Sequence, residues 1–196
     1  MERRGLEFVV LNQGNAQLTE LYRTHIGDWP KFYKMDTLSK AGFVATELLL
    51  KKIGERRCES EEYIRSCAIV LFGSTASLCA DKNYQETIQD KENYYPSPAL
   101  FVYTLPNIVT GEIAIRNHWR GETSFYVLEE PDASQMAFHL ACAFQDCDTE
   151  SILAGWVDSR NNDDFQVFMT IISREDAADT EWLAGKLQLM IDNLNK

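Results

Sequence analysis

Cys67-Ala68-Ile69-Val70-Leu71-Phe72 is an unbroken apolar run closed by Gly73-Ser74. A strand with one wet face alternates apolar and polar residues. This run does not, and predicts a strand buried on both faces, as inside a parallel sheet. Three more runs share its character and read as buried strands: Thr123 to Leu128, Ser151 to Val157, and Phe165 to Ile172 with Asp163-Asp164 before it. Leu6 to Leu11 is a shorter β-rich run.

Helical spacing fills the intervals. Asp36-Thr37 opens a helix that carries Leu38, Phe43, Val44 and Leu48 and ends near Gly54. Asp81 to Gln89 predicts a short helix, and Ala99 to Asn117 a longer one bent or broken at Pro106. Glu130-Pro131-Asp132 reads as a helix start, with proline at an early position and acids in the first turn. That helix places Met136, Ala137, Leu140, Ala141 and Phe144 on one face, and Thr180 to Leu194 is amphipathic. Strands alternating with helices predict an α/β class with a mostly parallel sheet. With no repeat or evident linker, residues 1–196 read as one unit.

The 196 residues carry 19 Lys+Arg against 30 Asp+Glu, a formal charge of −11. Nucleic-acid binding and electrostatic docking on anionic membranes both need a basic face, so neither is expected. The apolar runs are too short for a spanning helix, and the stretch after Met1-Glu2-Arg3-Arg4 is too short for a signal-peptide core. Five widely spaced cysteines (Cys58, Cys67, Cys79, Cys142 and Cys147) do not form a disulfide framework, and a reducing cytoplasm is expected.

Residue by residue, little chemistry stands out. His139 and Cys142 share a helix face at i, i+3, but no further ligand follows at useful spacing, so neither a metal nor a cofactor is expected. His25 lies in a predicted loop before Gly27-Asp28, and His118 precedes Trp119-Arg120. Ser74 follows a strand without a G-x-S-x-G elbow and reads as a turn.

A wider pattern carries a resemblance. Ser97-Pro98, Leu105-Pro106-Asn107, Gly111-Glu112-Ile113-Ala114-Ile115, Arg120-Gly121 and Leu153-Ala154-Gly155 follow in ungapped order. Lys34-Met35-Asp36 and Ala68 to Ser74 precede them, and Val167 to Ser173 comes after. This ordered set resembles the N-terminal half of a β-ketoacyl synthase, a condensing enzyme of the thiolase-like fold. The likeness is clearest over residues 35–175. It implies half of a thiolase-like fold, with a mixed, mostly parallel sheet and helices packed on it, and with the catalytic C-terminal half absent.

In that family, the strand matching Thr123 to Leu128 leads into a turn that presents a nucleophilic cysteine at a helix N-terminus, where the thiolate is favoured. Ungapped counting from Asn107 and Gly121 places that cysteine at Glu130, with Glu129 beside it replacing a small residue. The catalytic histidines belong to the other half, and His118 and His139 do not match them. A carboxylate at a helix N-terminus is a stabilised anion, and it would repel a malonyl carboxylate. No catalytic residue is therefore expected.

The resemblance implies a non-catalytic subunit of the chain-length-factor type in fatty-acid or polyketide-type synthesis. It implies a homodimer, or a heterodimer with a full-length ketoacyl synthase. An acyl carrier protein is a further candidate partner; it is acidic like this chain, so direct docking would be repulsive without a local basic patch, for which Lys34, Arg116 and Arg120 are the candidates. Leu105, Asn107, Phe125, Tyr126, Val127 and Leu128 would border the pocket or the interface. Two alternatives stand beside it. One is a residual acyl-thioester enzyme using Glu130 and water, which needs a dry pocket. The other is a homodimeric scaffold without acyl chemistry.

Overall fold

The computed structural model describes residues 6–12, 14–54, 66–92 and 94–194. The chain begins with β1 (Phe8–Leu11), α1 (Asn15–His25), a 3-10 turn (Pro30–Lys34) and α2 (Thr37–Ile53). Then come β2 (Cys67–Gly73), α3 (Leu78–Glu86), α4 (Pro98–Val102), α5 (Ile108–Asn117) and β3 (Thr123–Val127). It closes with α6 (Ala133–Ala143), β4 (Ser151–Ser159), β5 (Phe165–Ser173), α7 (Arg174–Ala177) and α8 (Thr180–Leu194).

The five strands form one sheet in the order β1-β5-β4-β2-β3. β2 pairs in parallel with both β3 and β4, and every one of its residues is buried. The expected mixed sheet is present, with its pairings evenly divided. β4 pairs antiparallel with β5, and β5 antiparallel with β1. The physical reason is the short link between β4 and β5. Asn161 Oδ1 accepts from the amides of Asp163 and Asp164, both at 2.9 Å, and turns the chain straight back.

Two cores flank the sheet. On one face, Leu38, Phe43, Val44 and Leu49 of α2 and Val109 and Ile113 of α5 cover Ile69, Leu71 and Leu153. On the other, Met136 and Leu140 of α6 and Leu183, Leu187 and Met190 of α8 cover Val70, Phe72, Ile152 and Trp156. Alternate residues of β2 therefore feed opposite cores, as the strand period of two requires. α2 starts at Asp36, whose side chain accepts from the Ser39 amide at 3.0 Å, and ends at Gly54 in the left-handed region. At Gly42 a Cβ would lie 2.5 Å from Val109 Cγ2, so a bare backbone is what lets α2 and α5 approach.

Several expectations change. β3 is not a buried strand: its ends Thr123 and Val127 are exposed and its middle is half-buried, because it lies at the sheet edge. The helix after it begins at Ala133. Asp132 is its N-cap, with Oδ1 accepting from the Ser134 and Gln135 amides at 2.9 Å, so Glu130 and Pro131 precede the helix and its first turn is acid-free. α3 begins at Leu78, not Asp81. His25 is the last residue of α1, not part of the loop that follows: α1 buries only Leu18 and Tyr22, which leaves too faint an apolar stripe to read. Cys58 lies outside the described residues. No helix among the described residues is long and apolar enough to cross a membrane.

Candidate functional site

The sheet ends at β3. Its one strand neighbour among the described residues is β2. The Leu128 amide donates to the Gly73 carbonyl at 3.0 Å, and the Ile69 amide donates to the Glu122 carbonyl at 2.8 Å. Backbone groups of alternate residues point to opposite sides of a strand. Residues 122, 124, 126 and 128 therefore face β2, and Thr123, Phe125 and Val127 turn their backbone groups to the open edge. The Val127 side chain is 57% exposed.

The side chains of β3 divide between the two faces. Phe125 packs with the α2 and α5 core, while Tyr126 and Leu128 pack with the α6 and α8 core. Tyr126 stacks on His139 of α6 at 4.3 Å between ring centroids and on Phe72 at 5.5 Å. His139 is thus an aromatic packing partner at the edge, and Cys142 is exposed further along the helix.

Glu129 and Glu130 stand exposed in the turn between β3 and α6. No cysteine shares that turn: Cys67 opens β2, Cys79 is in α3, Cys142 in α6 and Cys147 in the loop after α6. Both carboxylates are thus open to water.

Leu105 and Asn107 are exposed in the turn between α4 and α5. Leu105 is 52% exposed, and Leu100, Phe101 and Val102 of the preceding helix α4 are exposed as well. The loop after β2 joins this turn to the sheet edge. Its root, Gly73, receives the Leu128 amide, and its end, Ser77, donates through Oγ to the Thr104 carbonyl at 2.7 Å. At Gly73 a Cβ would sit 2.3 Å from the Val157 carbonyl oxygen and 3.0 Å from the Phe125 ring, so this root needs glycine. The structure thus links Leu105 to Leu128 through residues 73–77.

Sequence reading took Ser74 for a turn and missed Asp158. That residue is 5% exposed at the end of β4, and its carboxylate accepts from Ser74 and Thr75. The legible signal was an acid ending a buried apolar strand, which must find donors.

The expected basic patch is not formed as read. Arg116 is buried, pairs with Asp28 at 2.5 Å and Glu47 at 3.2 Å, and stacks over Trp29. Its charge is consumed internally, and only Lys34 and Arg120 of the three are exposed. Asp146, Cys147 and Asp148 form the one metal-type group among the described residues, fully exposed in a loop.

No protein-family model and no curated protein matches the sequence. Solved structures do. The ishigamide ketosynthase/chain length factor matches with a TM-score of 0.58 at 17% identity, over 78% of this chain and 48% of that one. The fold is thiolase-like. A ketosynthase in complex with its chain length factor from Xenorhabdus doucetiae matches with a TM-score of 0.54 at 11% identity. That match covers 95% of this chain and 92% of the other, so the two are of nearly equal length. A type II polyketide synthase acyl-carrier protein in complex with its hexaketide-bound ketosynthase matches with a TM-score of 0.54 at 12% identity. It covers 89% of this chain and 64% of that one. The chain therefore spans about half the length of the ishigamide protein and under two thirds of the hexaketide-bound one, and about the full length of the Xenorhabdus one. At identities this low, the matches establish the fold alone.

Proposed function

We propose that this chain is a non-catalytic subunit of the chain-length-factor type that pairs with a ketosynthase in polyketide- or fatty-acid-type synthesis. The observation that carries the proposal is the open edge of β3, to which residues 73–77 link the exposed apolar turn at Leu105. An unpaired edge carrying exposed Val127 is a template for another strand, and natural sheets cover such edges.

The fold match to a chain from a ketosynthase–chain length factor complex supports this role. Glu130, exposed where the resemblance implies the nucleophile, supports the absence of condensing chemistry. The same exposure disfavours a thioester enzyme built on Glu130. Leu105, Asn107 and Phe125 to Leu128 border the partner in this reading, and the Leu105 turn faces its acyl pocket. An acyl carrier protein would meet mainly the ketosynthase, since this chain carries −11 and Arg116 is already paired.

The test is recovery of the tagged chain from its native cells, followed by native mass measurement. A one-to-one complex with a ketosynthase supports the proposal. A homodimer alone favours the scaffold reading and overturns it.

A further inference from the structure

Ala76 lies in the loop after β2 at φ 47°, a left-handed conformation that a residue with a Cβ adopts only when its surroundings impose it. The neighbouring bonds supply that constraint. Asp158 Oδ1 accepts from the Ser74 amide at 3.3 Å, the Thr75 amide at 2.8 Å and Thr75 Oγ1 at 2.5 Å. Asp158 Oδ2 accepts from Ser74 Oγ at 2.5 Å. All four donors belong to two adjacent loop residues. The strand that bears Asp158 is held separately, by its register with β5 through Asp158↔Gln166 and Ser159↔Phe165. The carboxylate therefore couples a rigid strand to a strained loop. Beyond Ala76, Ser77 carries the constraint to Thr104, next to Leu105.

We propose that Asp158 is the positioning residue of the partner-facing surface, holding residues 74–77 so that the Leu105 turn and the Val127–Leu128 strand end are presented at a fixed spacing. This rests on the reading that the surface binds a ketosynthase, and it names the residue on which the shape of that surface depends. Asp158 touches no partner itself. It acts through half-buried Ser74 and Thr75, whose amides and hydroxyls are charge-assisted donors to a buried carboxylate.

The test compares D158A, T75V and T75S with the wild type. T75V removes the hydroxyl that donates to Asp158, together with that hydroxyl's contacts to the Ser159 carbonyl and amide, while keeping the side-chain shape, and T75S keeps the hydroxyl. Two readouts are taken: amide hydrogen exchange, and affinity for the ketosynthase that co-purifies with the tagged wild-type chain. In D158A the Ser74 and Thr75 amides are expected to exchange at least tenfold faster. Loosening should extend to residues 103–108, while β2, β4 and β5 stay protected. Affinity should fall at least tenfold. T75V should shift both readouts the same way by less, and T75S should match wild type. Unchanged exchange at Ser74 and Thr75, or a loosened loop with full affinity, overturns the inference. Should D158A fail to fold, T75V and T75S decide it alone by the same criteria. A wild-type chain that captures no ketosynthase instead overturns the functional reading, and this inference with it.

Discussion

The ring of Tyr126 lies 4.3 Å from the imidazole of His139, nearly parallel to it at 26°. This contact joins the edge strand β3 to the helix that follows it. It is one of a few side-chain anchors on a strand that, among the described residues, has a neighbour on one side only. Tyr126→Ala should lower stability by about 2 kcal/mol, less than for a fully buried aromatic ring because Tyr126 is half-buried. Tyr126→Phe keeps the stack and should stay within about 0.5 kcal/mol. Urea unfolding measures both. Equal losses in the two variants would show that the hydroxyl, not the ring contact, holds the edge.

The C-terminal helix α8 lays Leu183, Leu187, Met190, Ile191 and Leu194 over the sheet beside α6. Removing residues 179–196 would uncover Met136, Leu140, Trp156 and Ile172, an apolar surface far larger than a soluble monomer tolerates. The truncated chain should aggregate, as read by light scattering. A soluble, monodisperse product would refute this role for α8.

Much of this fold was legible because burial writes itself into sequence. The apolar run Cys67 to Phe72 announced the central strand, and the stripe from Thr180 to Leu194 announced the final helix. α1 was not legible, since a helix that buries only Leu18 and Tyr22 has almost no apolar stripe. β3 looked buried because Phe125, Tyr126 and Leu128 are apolar, and composition does not reveal that a strand lacks a neighbour. Arg116 looked available for an acidic partner until Asp28 and Glu47, 88 and 69 residues away, proved to hold it. At the candidate site, Leu105 and Val127 were legible as candidates. The Asp158 bonds to Ser74 and Thr75, which bridge 83 and 84 residues of sequence, were not.

Burial pushes the Asp36 carboxyl above its ordinary range, against the opposing pull of its hydrogen bonds to Ser39. An acid whose pKa rises on folding binds its proton more tightly in the folded state. Its ionisation therefore costs stability as pH rises through the unfolded value, near 4. Asn at this position still caps α2, so the stability of D36N relative to wild type should improve between about pH 3 and pH 7. D36A loses the cap and should be destabilised by about 1 kcal/mol. Denaturant melts across that pH range test the sign, and a D36N advantage that shrinks as pH rises would contradict it.

Glu130 is exposed, and no cysteine shares its turn. The purified chain should hydrolyse acyl thioesters no faster than buffer, and Glu130→Gln should leave that rate unchanged. A rate above background that falls in Glu130→Gln and depends on pH would restore the thioester-enzyme alternative.

The most direct measurement uses Val127→Pro. The Val127 amide points to the open edge of β3, away from β2, so proline removes a donor that no bond among the described residues uses. Native mass spectrometry of tagged wild-type and variant chains recovered from the same cells gives the answer. The account predicts a one-to-one complex with a ketosynthase for wild type. It predicts a folded, uncomplexed chain for Val127→Pro. A ketosynthase complex that survives the proline intact would contradict pairing through the edge of β3.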